Sequence, residues 1–272
     1  MILPRSTIHY VKINWRSSDL VMHLIRRDFR LRYLGSLFGS YWNLIHPITM
    51  ILLYTAIFSQ MMGARLATLG IENRFAYTIY LCAGLLPWNA FVEMVSRTTR
   101  VFLDQAPLIK KVSFPIEVLP TVVIASASFN FAIAFGLLLI LCLASGVGIS
   151  EHIVAVPFIF MVQMLLAAGI GMFTAVLNIF FRDVEQVVGI VMQVWFWMTP
   201  IVYLKQSVPE GFGKILLMNP MYYLVEMYHQ VIVLHQWPDL RYFGIALASS
   251  VVVLMLGANF LSRFKSEIPD EI

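Results

Sequence analysis

Cut at every Lys, Arg, Asp and Glu, the chain falls into six charge-free intervals that approach or exceed the roughly 20 residues of a membrane-crossing helix: Tyr33 to Ala64, Phe75 to Val92, Val118 to Ser150, His152 to Phe181, Gln186 to Leu204 and Tyr242 to Ser262. Trimmed to their most apolar parts, they predict spans at 41–62, 76–94, 120–144, 154–178, 187–203 and 243–261. Between Lys205 and Arg241 lie two shorter apolar pieces, interrupted by Asn219-Pro220 and by Glu226. Too short to cross, they predict a re-entrant or interfacial pair over 215–237. The expected fold is therefore an all-α integral membrane protein. Its parts are a cytoplasmic N-terminal region (1–40), a six-span transmembrane domain (41–262) and a cytoplasmic tail (263–272).

Composition agrees with this pattern: 60% of the 272 residues are hydrophobic and 12% are charged, far from the balance of a soluble domain. With the N-terminus inside, the inner segments hold fourteen Lys and Arg and the outer ones five, namely Arg65, Arg74, Lys205, Lys214 and Arg241. That asymmetry places both termini in the cytoplasm, as expected of a multi-pass protein of the cytoplasmic (inner) membrane. Basic residues beside anionic lipid account for the net charge of +4, so no nucleic acid is called for. The first 40 residues carry seven basic side chains and no early apolar core, so the first span is expected to direct insertion. Cys82 and Cys142 both fall inside predicted spans and read as packing residues, with no disulfide framework or metal site suggested.

Four stretches carry candidate chemistry. In "DLVMHLIRRDFRLRYLGSLFGSYW", apolar residues alternate with arginines, which predicts an amphipathic helix lying in the headgroup layer. Arg26, Arg27 and Arg30 are placed there to anchor topology or to meet a phosphate on a lipid-linked substrate. The loop after the second span, "SRTTRVFLDQAPLIKKVSFPIEVLP", has Pro107 at a turn. It presents Leu108, Ile109 and Phe114 beside Lys110 and Lys111, more hydrophobes than a connector needs, as if built to dock. In the first span, Pro47 frees a backbone carbonyl and His46 is a candidate partner for the kink. A proton relay through His46 would need a second ionisable group at that depth, and the spans were expected to offer no carboxylate.

The fourth stretch is "LNIFFRDVEQVVGIVMQVWFWMTPIVY". Arg182 and Asp183 read as the boundary between the fourth and fifth spans, where they escape the cost of intramembrane charge. Trp195, Phe196 and Trp197 spread over about 200° of a helix, so not all face lipid. Facing a pore, with Tyr203, they would suit sugar rings; an interfacial aromatic belt explains them equally. No phosphate-binding loop ends in Gly-Lys-Ser/Thr, so the chain is not expected to bind ATP, and no catalytic constellation is present.

Taken together, "RRDFRLRYLGSLFGSYWNLIHPI", "LIKKVSFPIEVLP", the fourth stretch and "NPMYYLVEMYHQVIV" resemble the permease subunits of ABC transporters that export polysaccharides: O-antigen, capsule and teichoic-acid exporters. The resemblance implies a homodimer, non-enzymatic in itself. It would work with two copies of a separate ATP-binding subunit that holds ATP and magnesium, with no cofactor on this chain. The cargo implied is a lipid-linked polysaccharide. It implies ATPase docking at the amphipathic helix and at Pro107 to Phe114, and a glycan channel lined by Trp195, Phe196 and Trp197, with Tyr54 and Phe58. It also implies an exit gate in the re-entrant pair, which contains Asn219, Pro220, Tyr222 and Tyr223. A small-lipid or drug exporter is the alternative within the superfamily. A membrane enzyme acting on lipid phosphates through His46, His229 or Asp183 is the alternative outside it.

Overall fold

A computed structural model describes residues 5–32, 39–61, 75–111, 114–204 and 210–272, and among these the chain is helical, with no strand. Helices α1 (Arg5–Arg16) and α2 (Ser18–Arg32) precede α3 (Trp42–Met61) and α4 (Ala76–Thr99). The short helices α5 (Val101–Asp104) and α6 (Ala106–Lys111) lead into α7 (Val118–Ala144). A 3-10 turn at Glu151–Ala155 opens α8 (Val156–Phe180), and α9 (Val184–Trp197) follows. The pair α10 (Glu210–Leu217) and α11 (Pro220–Ile232) precedes α12 (Leu240–Phe264) and the terminal turn α13 (Ile268–Glu271).

Among the described residues, four helices are long and apolar enough to cross a bilayer: α4, α7, α8 with its 3-10 turn, and α12. The first expected span contributes a shorter apolar stretch of α3, Leu44–Leu53. The fifth, expected over 187–203, is helical only as far as Trp197, giving 14 residues and a length of about 21 Å. Thr199 precedes Pro200, and that position disfavours helical backbone, so the helix stops and the chain continues as irregular structure. The pair α10 and α11 has 8 and 13 residues, both too short to cross.

Helix α4 is the axis of the bundle, buried along most of its length and packed against α3, α7, α8, α9 and α11. Pro87 lies inside this helix, and polar side chains from two other helices gather beside it. Gln163 of α8, fully buried, donates from Nε2 to the Pro87 carbonyl at 2.8 Å. Tyr228 of α11 donates to Gln163 Oε1 at 3.3 Å, so one polar thread joins three helices. Cys82 on α4 and Cys142 on α7 are buried free thiols.

Helices α8 and α12 cross in the tightest contact of the fold. A Cβ added at Gly257 would lie 2.2 Å from the Gly169 carbonyl oxygen, and one at Gly169 would lie 2.5 Å from that of Val253. Small residues let the two backbones touch, and the gain is van der Waals packing of a kind lipid cannot match. On α12 the buried positions Ala246, Ser250, Gly257 and Ala258 continue the seam.

Helix α1 and the C-terminal tail meet at one end of the bundle. Tyr10 of α1 shares a 2.6 Å hydrogen bond with Thr121 of α7, and burial pushes its phenol up to about 12. Lys265, beyond α12, donates to Glu117 at 2.9 Å, just before α7 begins. Ile268 is fully buried, which seats the tail against the bundle.

The Gly169–Gly257 crossing makes a sharp prediction. Gly257→Ala puts a methyl group against backbone and should cost about 1–3 kcal/mol of overpacking, seen as a lower thermal midpoint in detergent. Gly244→Ala, on the same helix but facing open space, should hold or raise the midpoint.

Candidate functional site

The aromatic residues of the fourth stretch are divided by the α9 helix into two populations. Trp195 and Phe196 are half-buried and pack on α4, where Trp195 meets Phe91 edge-on at 5.5 Å and Trp88 at 6.3 Å, and Phe196 meets Trp88 at 5.8 Å. Trp197 points outward and is 63% exposed. Tyr203 lies in the irregular segment beyond α9 and donates to the Trp197 carbonyl at 3.0 Å. Tyr54 and Phe58 belong to α3, but their side chains lie outside the described residues.

Asn219 is the knot between α9 and α11. Its Oδ1 caps α11 by accepting from Met221 N at 2.9 Å and also accepts from Trp195 Nε1 at 2.7 Å. Its Nδ2 donates to the Met198 carbonyl at 3.1 Å and to Thr199 Oγ1 at 2.9 Å. Two donated and two accepted bonds occupy the amide fully. Pro220 follows at the first helical position, where its missing N–H costs nothing. Tyr222 and Tyr223 are buried with Tyr242, at ring distances of 6.1 and 5.3 Å, and Tyr223 donates to the Leu217 carbonyl at 2.6 Å. Of the residues named for the exit gate, Asn219 is thus bonded to Trp195, while Tyr222 and Tyr223 pack together and against Tyr242.

The residues of the connection between α4 and α7 divide in a similar way. Pro107, Lys110 and Lys111 are exposed, Leu108 and Phe114 are partly buried against the core, and Ile109 is 8% exposed. Ile109 is therefore used in the chain's own packing, which corrects the view of it as a surplus hydrophobe. On α2, Arg26 and Arg30 are exposed, while Arg27 donates to Gln105 and so ties the helix to the turn between α5 and α6. At the α8–α9 corner, Arg182 and Asp183 are exposed. Among the described residues, the ion pair at this corner joins Arg100 to Glu185 at 3.1 Å, and Asn178 Oδ1 accepts from Glu185 N.

The residues considered for lipid-phosphate chemistry sit in three separate places. His229 is buried on α11, stacked on Tyr80 at 3.9 Å, with Nε2 donating to the Tyr80 carbonyl at 3.0 Å. Asp183 is on the exposed corner, and His46 lines a cavity between α3, α4 and α7. That cavity corrects another expectation, because Glu93 lies within the second predicted span and lines the same space. Asn89 and Arg97 share its helical face at four-residue spacing, a signal the sequence carried and a search for charge-free intervals passes over.

The apolar bundle, with four helices among the described residues long and apolar enough to cross a bilayer, defines a polytopic membrane protein. The sequence profile of the family described as ABC-2 type transporter matches residues 19–233, and the chain belongs to that family. It is 27% identical over 267 residues to the O-antigen export system permease protein RfbA of Myxococcus xanthus, covering 97% of this chain and 100% of that one. An RfbA of the same description from Klebsiella pneumoniae is 26% identical, over 91% of this chain and 92% of its own. The polysialic acid transport protein KpsM of Escherichia coli is 20% identical, over 77% and 79%.

Asn219→Ala should strand the Trp195 indole N–H and the Met221 amide and remove the donor to the Met198 carbonyl. The expected cost is about 2–3 kcal/mol, read as a lower thermal midpoint. Tyr203→Phe, which removes one exposed hydrogen bond, should shift the same midpoint far less.

Proposed function

We propose that the chain is the permease of an exporter that carries lipid-linked polysaccharide across the cytoplasmic membrane. It would act as a homodimer with two copies of a separate ATP-binding subunit, which supplies the ATP and magnesium. The observation that carries this reading is the end-to-end likeness to a protein named for O-antigen export, over 97% of this chain. The apolar outer faces of α3 and α9, with Leu52, Val187, Ile190 and Val194 exposed, suit burial against lipid or a second copy. Both termini are assigned to the cytoplasm, on the charge asymmetry of the loops and the meeting of α1 and the tail at Glu117 and Thr121.

In this reading the ATP-binding subunit meets the surface that carries Pro107, Lys110 and Lys111, all exposed beside α2. Arg26 and Arg30 are the exposed guanidiniums on α2 available to a lipid pyrophosphate, to which planar forks bind well. Trp197, the outward-facing aromatic of α9, is the first choice for a channel surface against which sugar rings slide.

Purification from the native membrane in mild detergent tests the whole proposal. A stoichiometric ATPase whose turnover rises with lipid-linked glycan is the expected result; a lone protein indifferent to ATP would refute it. Lys110→Glu with Lys111→Glu should reduce recovery of that ATPase by roughly tenfold through reversed rim charge, with membrane abundance unchanged. Undiminished recovery would remove this surface from the interface.

A further inference from the structure

The cavity between α3, α4 and α7 has a volume of about 570 Å³, within the range of about 300–1,000 Å³ typical of small-molecule sites. Its walls are chemically mixed. Trp42 and Phe131 contribute ring surface, and Asn89, Glu93, Asn130 and His46 contribute polar groups. The polar groups are positioned. Asn130 Nδ2 donates to Glu93 Oε1 at 2.8 Å, and Arg97 Nη1 donates to the same oxygen at 3.4 Å. Arg97 in turn donates from Nη2 to both carboxylate oxygens of Asp28 on α2, at 2.8 Å each.

Two observations decide what such a space accepts. The guanidinium beside it, Arg97, is already shared between Asp28 and Glu93, so an entering phosphate would meet the Glu93 carboxylate with that guanidinium already engaged. Meanwhile Asn130 Oδ1 is enclosed with no hydrogen-bond partner, Asn89 is exposed on the wall, and a carboxylate only accepts. Acceptors in excess, flanked by aromatic faces, match a ligand rich in O–H donors with an apolar C–H surface.

We propose that this cavity is a sugar-binding site, which takes an uncharged pyranose unit of the transported chain and excludes its phosphate. Glu93 and Asn130 accept hydroxyl protons, Asn89 donates and accepts at the rim, and Trp42 offers a stacking face. Arg97 is a positioning residue: it orients Glu93 and fixes it to α2 through Asp28, so movement of α2 would reach the bound sugar through two side chains. The inference rests on the export reading.

The test uses the complex with its ATP-binding subunit in nanodiscs, each variant measured against its own basal rate. ATP hydrolysis is followed against two probes, lipid-linked glycan and a polyprenyl pyrophosphate without sugar. Asn89→Leu and Glu93→Gln should each raise the glycan concentration for half-maximal stimulation by about tenfold, the loss expected for a hydrogen bond to a charged or enclosed group. Their response to the bare pyrophosphate should match wild type. Asn89 has an exposed side chain, so its variant keeps the test valid if Glu93→Gln disturbs folding. An unaltered glycan response in both variants overturns the proposal while the export reading stands, and an equal loss toward bare pyrophosphate assigns the cavity to phosphate and overturns it too. A wild-type complex indifferent to glycan overturns the export reading and this one with it.

Discussion

In a bundle walled by apolar side chains, a backbone amide that leaves a helix must find its partner within the protein, because hydrocarbon offers none. That constraint explains where this chain places its polar side chains. Beside Pro87 the buried Gln163 side chain is itself fully engaged, donating to the Pro87 carbonyl and accepting from Tyr228. Where α9 stops ahead of Pro200, the exposed peptide groups are taken up by Asn219, by Tyr77 donating to the Val202 carbonyl at 2.6 Å and by Tyr80 donating to that of Tyr203 at 3.1 Å. The irregular segment is thereby fixed to the first turns of α4, and α11 is tied to it through its cap.

The packing divides the molecule into a firm part and an open part. Helices α4, α8, α11 and α12 interlock through glycine contacts, fully buried tyrosines and an aromatic cluster, and their side chains leave little space. Helices α3 and α9 lean on this block from one side each and keep broad apolar faces outward. Charge pairs at the end that carries the termini link α2 to α4, α4 to α9 and the tail to α7. Such partly exposed pairs add little stability individually. Their value here is geometric, since each fixes an outer element to the firm block.

The sequence announced the long helices well, because unbroken apolar runs have few other uses in a chain of this composition. The ends were less legible: α4 continues past Glu93 and Arg97 to Thr99, since those charges find partners in Asn130 and Asp28. A search for charge-free intervals treats paired and unpaired charges alike and so stops too early. The same blindness hid the cavity, which depends on α3 and α7 meeting α4 and on nothing local. In the sequence Asn219 marks, with Pro220, a break between short apolar pieces, but its bonds to Trp195, Met198 and Thr199 join elements about 20 residues apart that only the fold brings together.

The brevity of α9 has a consequence for the surrounding lipid. A helix of 14 residues falls about 9 Å short of a hydrocarbon layer some 30 Å thick. Membranes answer such hydrophobic mismatch by thinning beside the protein, at a fraction of a kcal/mol for each ångström. Where α9 faces lipid, such thinning would draw the two headgroup layers toward each other along this flank, a consequence of a threonine and a proline that end a helix early.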